Sequence, residues 1–142
     1  MSDEDRQLER FIEAQDEGGT YERALSELRA GHKTSHWMWF VFPQIAGLGA
    51  STMSARYAVS SLQEARAYLA HPILGPRLLE CAQALIDAPA KSAREILGDI
   101  DAVKLRSSMT LFARAASGEP VFTQVIERYF DGEADVATEA RL

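Results

Sequence analysis

Residues 36–49 read HWMWFVFPQIAGLG, and the reading of this stretch decides the fold. It holds both tryptophans of the chain, an unbroken bulky apolar run from Trp37 to Phe42, and a Pro-Gln step into a loop carrying Gly47 and Gly49. So much aromatic surface is driven out of water, and other segments must fold over it. A short run that is apolar throughout suits a buried strand as well as a buried helix. Its Trp, Phe and Val content favours the strand. Thr34 or Ser35 as an N-cap and Pro43 as a stop favour the helix. The surroundings weigh toward helix, because both flanks read as helix and no partner strand is in sight.

On the N-terminal side, Leu8, Phe11, Ile12 and Gln15 recur at steps of three and four and form one face of a helix capped by Ser2 or Asp3. Gly18-Gly19 ends it, Thr20 opens the next, and Tyr21, Ala24, Leu25 and Leu28 repeat the spacing until Gly31. On the C-terminal side, Ser60 or Ser61 with Glu64 has capping-box spacing ahead of Leu62, Ala65, Tyr68 and Leu69, and His71-Pro72 closes that helix. Leu74, Leu78, Cys81, Leu85 and Ile86 make the next stripe, which Pro89 ends. Ser92 and Glu95 repeat the box before a short piece that Gly98 closes.

Asp99 or Asp101 then starts a longer helix with Leu105, Ser108, Met109, Phe112 and Ala116 on one face. Pro120 opens the last helix, in which Phe122, Val125, Ile126 and Tyr129 face inward. No segment alternates with period two, so the class is all-α: a compact array of about seven to eight short helices, bundle-like or built of stacked helix pairs. Residues 3–130 form a single domain on this reading, and the acidic, small-residue tail 131–142 lacks an apolar period and is expected to fray.

With 46% hydrophobic and 25% charged residues, the composition is that of a globular domain with enough apolar material for one core. The formal charge of −6 opposes the phosphate neutralisation on which nucleic-acid binding depends, so that class is demoted. Cys81 is the single cysteine, so neither an intrachain disulfide nor a cysteine metal cluster can form. The three scattered histidines have no metal-ligand spacing, and no cofactor is called for. The charged N-terminus is unlike a signal peptide and no run approaches a membrane span, so the expectation is a cytoplasmic protein without membrane contact.

The blocks Arg10-Phe11, Ala14-Gln15, HWMWFVFPQ at 36–44, Gly47-Leu-Gly49 with Ser51, Glu64-Ala65, Tyr68-Leu69, Asp101 and KLRSSMTLF at 104–112 carry a resemblance. The chain resembles the family catalogued as domain of unknown function 1810, over roughly residues 3–130. That resemblance implies an all-helical fold and no reaction. Some members are labelled calpastatin-like, which would imply a protease inhibitor. Inhibitors of that kind are polar chains that order on their target, whereas the periodicity here is that of a folded core.

The candidate catalytic residue is His36, a potential general base or anion contact in the marked block. Its bland alternative is a histidine bonded to a backbone carbonyl. Trp37, Trp39, Phe40 and Phe42 read as a core cluster; an indole left exposed beside His36 would be a stacking platform for a base or sugar ring, and Trp37 is the candidate for it. Gln44, Gly47, Gly49 and Ser51 are candidate ligand-binding positions, with amide and backbone donors fit to hold a phosphate, carboxylate or sugar, or else a plain glycine turn. Asp101, Lys104 and Ser108 are the third group: Lys104 could hold an anion, Asp101 orient it, and Ser108, or Ser107, contact it. The structural reading is a paired, capped helix whose serine permits close packing.

The leading expectation is therefore a pocket for a small anionic ligand, such as a nucleotide or phosphosugar, where these three groups meet. If a reaction occurs there, it is hydrolysis with His36 as base and Lys104 stabilising negative charge. The competing expectation is an interaction module that shows an exposed apolar patch and no concave polar site.

Overall fold

The computed structural model describes residues 2–89 and 91–142. Its elements are α1 (Asp3–Asp16), a 3₁₀ turn (Glu17–Gly19), α2 (Thr20–Ala30), α3 (Met38–Val41), α4 (Thr52–Arg56), α5 (Leu62–Ala70), α6 (Leu74–Asp87), α7 (Ala93–Leu97), α8 (Asp99–Ala115), α9 (Pro120–Phe130) and α10 (Val136–Glu139). The all-α class holds, with an isolated parallel bridge between Ile45 and Val59 as the β pairing among the described residues.

The capping chemistry follows the sequence. Ser2 with Asp5 and Ser92 with Glu95 form complete capping boxes, Ser61 accepts from the Glu64 N–H, and Pro120 sits in the first turn of α9. The longest helix, α8, packs against α5, α7, α9 and α10, while α6 packs against α2, α5 and α9. An aromatic chain runs through this centre. Phe11 meets Tyr68 edge-on at 5.2 Å, Tyr68 meets Phe112 at 5.3 Å, and Phe112 meets Phe122 at 5.8 Å, joining α1, α5, α8 and α9.

The stretch at 36–49 forms neither a full-length helix nor a strand. Helix is confined to the single turn α3, with Trp37 at its N-cap, and the chain then runs into the Ile45–Val59 bridge. Thr34 and Ser35 do not cap a helix, because α3 starts only at Met38 with Trp37 at its N-cap, and the Ser35 hydroxyl is turned to a carboxylate from α2. Glu27 accepts from Thr34 N at 2.8 Å, Ser35 N at 3.1 Å, Ser35 Oγ at 2.6 Å and the Trp37 indole N–H at 2.9 Å. Burial alone would raise its pKa, but the Ser35 hydroxyl, the Thr34 N–H, the indole and the Ser35 N–H outweigh it and hold the carboxyl down to about 2.

The other end of α3 is held by buried Gln15, whose side-chain amide donates to the Phe40 carbonyl at 2.8 Å and the Tyr68 hydroxyl at 3.2 Å. Two polar side chains from helices thus replace the backbone ladder that a short aromatic segment cannot supply for itself.

Residues 131–142 differ from the frayed tail expected of them. Asp135 caps α10, Thr138 is fully buried, and Arg106 reaches the Glu133 and Ala134 carbonyls at 2.7 and 3.3 Å. The absence of an apolar period is accounted for by how the segment is held, largely by polar contacts to α8 with the single Leu142 packed half-buried against the core.

Candidate binding site

The three groups singled out in the sequence do not meet in one polar pocket. His36 is exposed at the start of the turn before α3, and its side chain has no hydrogen bond or ion pair among the described residues. A general base needs a partner within reach or through one water, so nothing here orients His36 for catalysis. Trp37 is fully buried against Phe42 at 6.3 Å with its N–H on Glu27, which makes it core and no platform.

The glycine loop is closed on itself. The Gln44 carbonyl accepts from Val59 N at 2.8 Å, which leaves the backbone there committed to the bridge. Gly47 has φ 95°, and the Arg141 guanidinium lies so close that a Cβ would sit 2.6 Å from its Nη1. A Cβ on Gly49 would meet Ser54 Oγ at 2.4 Å, and Ser51 caps α4 through Ser54 N at 3.0 Å. The positive φ at Gly47, the approach of Ser54 to Gly49 and the capping role of Ser51 each give these residues a structural reason. Ser108 is sealed in the core, and its Oγ has no hydrogen-bond partner among the described residues.

Asp101 and Lys104 are brought to the surface together, with a tryptophan two residues away from the one expected. Trp39, Leu97, Gly98, Asp99, Ile100, Asp101 and Lys104 line a wide-mouthed depression of about 500 Å³. Lys104 Nζ lies 5.2 Å from the centre of the Trp39 ring, within cation–π range. Asp101 is shared unequally: Lys33 approaches it to 2.9 Å and Lys104 only to 3.8 Å. Lys33 also faces the Trp37 ring at 5.1 Å. Two ammonium groups therefore share one carboxylate, and Lys104 is the loosely held one.

At the rim, Asp99 is occupied by Arg94 Nε at 2.7 Å. Gly98 serves as the N-cap of α8, and no side chain caps that end. Two aliphatic side chains stand in water beside the depression, Ile100 at 74% and Val103 at 63% exposure. Bare neighbours of this size on one helix face are the unusual feature of the surface. Among the described residues no group of three His, Cys, Asp or Glu side chains is placed to hold a metal, and no helix is long and apolar enough to cross a membrane.

The class that the fold defines is an all-α array of short helices packed on one core. Residues 5–142 match the family described as "Protein of unknown function (DUF1810)", and the chain belongs to that family. It is also similar to a solved structure, the conserved hypothetical protein Rv1873 from Mycobacterium tuberculosis. The two share 49% identity and a TM-score of 0.92, with 95% of each chain covered. No curated protein matches the chain.

Sequence reasoning missed Glu27, Ile100 and Val103, and of the two indoles it weighed as a platform it chose Trp37 over Trp39. A signal existed for Glu27, since it follows Ala24 by three on the apolar side of α2. Ile100 and Val103 were visible too, as apolar residues off the Leu105–Phe112 stripe.

Proposed function

We propose that the chain is an interaction module that binds a partner polypeptide on the face made by Trp39, Leu97, Ile100, Val103 and Lys104. The observation that carries this reading is the pair of bare aliphatic side chains beside an open, indole-floored depression. Small-molecule sites enclose most of their ligand, which a wide-mouthed depression cannot do, whereas protein interfaces need an apolar centre with a polar rim. Lys104 supplies the rim charge, and its loose tie to Asp101 leaves it free to meet an acidic group on the partner.

The test places a photo-cross-linking amino acid at Ile100 in cells, with a second chain carrying it at exposed Arg66 on α5 for comparison. The reading predicts a discrete product from position 100 that is absent from position 66 and lost when Lys104→Glu is added. Equal products from both positions, or none from position 100, overturn it.

The unequal sharing of Asp101 also favours a second reading, a small anion held by Lys104 against the Trp39 indole. Wild type and Lys104→Met titrated with nucleotides and phosphosugars separate the two. Saturable quenching of Trp39 fluorescence in wild type alone supports the small ligand, and an unchanged spectrum leaves the polypeptide reading.

A further inference from the structure

The C-terminal segment and the bare aliphatic pair share one ridge of α8. Val103, Arg106, Ser107, Thr110 and Arg114 follow one another at steps of three and four or adjoin on the same stripe. Residues 133–142 lie on the C-terminal part of that ridge. Ser107 Oγ donates to Asp135 Oδ2 at 3.2 Å, the Asp135 N–H donates to Thr110 Oγ1 at 2.9 Å, and Arg114 pairs with Glu139 at 2.8 Å. The ridge then continues uncovered through Val103 to Ile100, one turn from Lys104 and the Trp39 depression.

The covering segment is seated mainly by polar contacts, with Thr138 as its fully buried residue and Leu142 as the apolar side chain that packs, half-buried, against the core. Its one β-branched aliphatic, Val136, points to solvent at 79% exposure, and its pairs with Arg106 and Arg114 are half in water. Such contacts are each worth little net free energy, because the groups regain water when they part. Segments held this way open at far lower cost than the core. What the segment offers α8 is also definite in kind: carboxylates at Glu133, Asp135 and Glu139 set against arginines and hydroxyls.

We infer that α8 is a docking strip for an acidic peptide segment, and that the chain's own residues 133–142 are an exchangeable occupant of its C-terminal half. This rests on the interaction-module reading and names the partner's chemistry. The incoming segment places a carboxylate where Asp135 or Glu139 sits and carries apolar side chains onto Val103 and Ile100. The overall charge of −6 slows its approach, while pairs formed within a Debye length decide its seat.

The probe is a fluorescein-labelled peptide copying residues 133–142, added to the full-length chain. Loosening the resident segment with Asp135→Asn and Glu139→Gln removes a competitor, so the peptide should bind that variant about tenfold tighter than wild type. Adding Arg114→Glu, at a half-exposed site, should abolish the gain, as should a peptide with lysines in place of Asp135 and Glu139, with the Tm of each variant measured alongside to confirm that it is folded. Hydrogen exchange in residues 136–142 should quicken when peptide is bound to wild type. Equal affinity for wild type and the loosened variant, or indifference to charge reversal, overturns the inference. A chain that cross-links at Ile100 yet fails here keeps its binding face and loses the exchangeable segment. One that shows the exchange but no cross-link at Ile100 loses the face alone.

Discussion

Replacing Glu27 with glutamine probes the part of the structure that places both tryptophans. The carboxylate accepts four hydrogen bonds from Thr34, Ser35 and Trp37, and its pKa is held to about 2 against an ordinary 4.5. Fully realised, a lowering of that size is worth about 3 kcal/mol, and solvent at the edge of the loop reduces it to about 2. Glutamine can keep the three N–H bonds on one oxygen and set its NH2 against the Ser35 hydroxyl, which can turn to accept, so what Glu27→Gln loses is the charge on the acceptor, about 2 kcal/mol. At this chain length that is a fall in Tm of about 5–10 °C.

The pH dependence has a definite sign. The folded pKa lies below the unfolded one, so the contribution is complete above about 4.5 and disappears as pH falls toward about 2. Urea unfolding of wild type and Glu27→Gln from neutral pH downward should show two curves that converge over that window. A variant as stable as wild type at neutral pH, or a gap that persists at about pH 2, refutes the assignment of Glu27 as the organiser of residues 32–37.

Other substitutions test neighbouring parts of the account. Ser108→Ala removes a sealed hydroxyl that lacks a partner among the described residues, so thermal denaturation should show unchanged stability or a gain of up to about 1 kcal/mol. His36→Ala should leave stability within about 0.5 kcal/mol of wild type by urea titration, since the imidazole is exposed. Gly75→Ala sets a Cβ 2.1 Å from the Leu69 carbonyl oxygen, and should cost about 3 kcal/mol or prevent soluble expression. A calorimetric scan in which Gly75→Ala matches wild type would show that α5 and α6 do not approach as described.

Much of the architecture was legible because each long helix buries its own stripe and announces its own ends. Leu8, Phe11 and Gln15 lie on the buried face of α1, and Ser2, Ser92 and Pro120 stand at helix starts, as their spacing requires. The aromatic segment was not legible, since its conformation is imposed by side chains of other helices, Glu27 of the preceding α2 and Gln15 of α1. A single carboxylate on an amphipathic helix looks like solvent-facing charge until its partners are placed. Local pattern also cannot say which of two tryptophans two residues apart turns inward, and here Trp37 is core while Trp39 floors the depression.

The candidate site was half legible for a related reason. Asp101 and Lys104 belong to one helix, so their spacing guaranteed that they would adjoin. The meeting of His36, the glycine loop and α8 required a tertiary arrangement that no spacing specifies. The tail was misread because hydrophobic periodicity detects apolar anchoring alone, and residues 133–142 are anchored by Arg106, Ser107, Thr110 and Arg114.

The central claim, that recognition runs along the exposed start of α8, is tested most directly by methyl NMR on isoleucine- and valine-labelled chain titrated with the partner recovered from cross-linking at position 100. The account predicts shifts at the Ile100 and Val103 methyls and the Trp39 indole N–H, with Ile73, an exposed isoleucine at the start of α6, unmoved. Shifts at Ile73 with Ile100 and Val103 unchanged would contradict it.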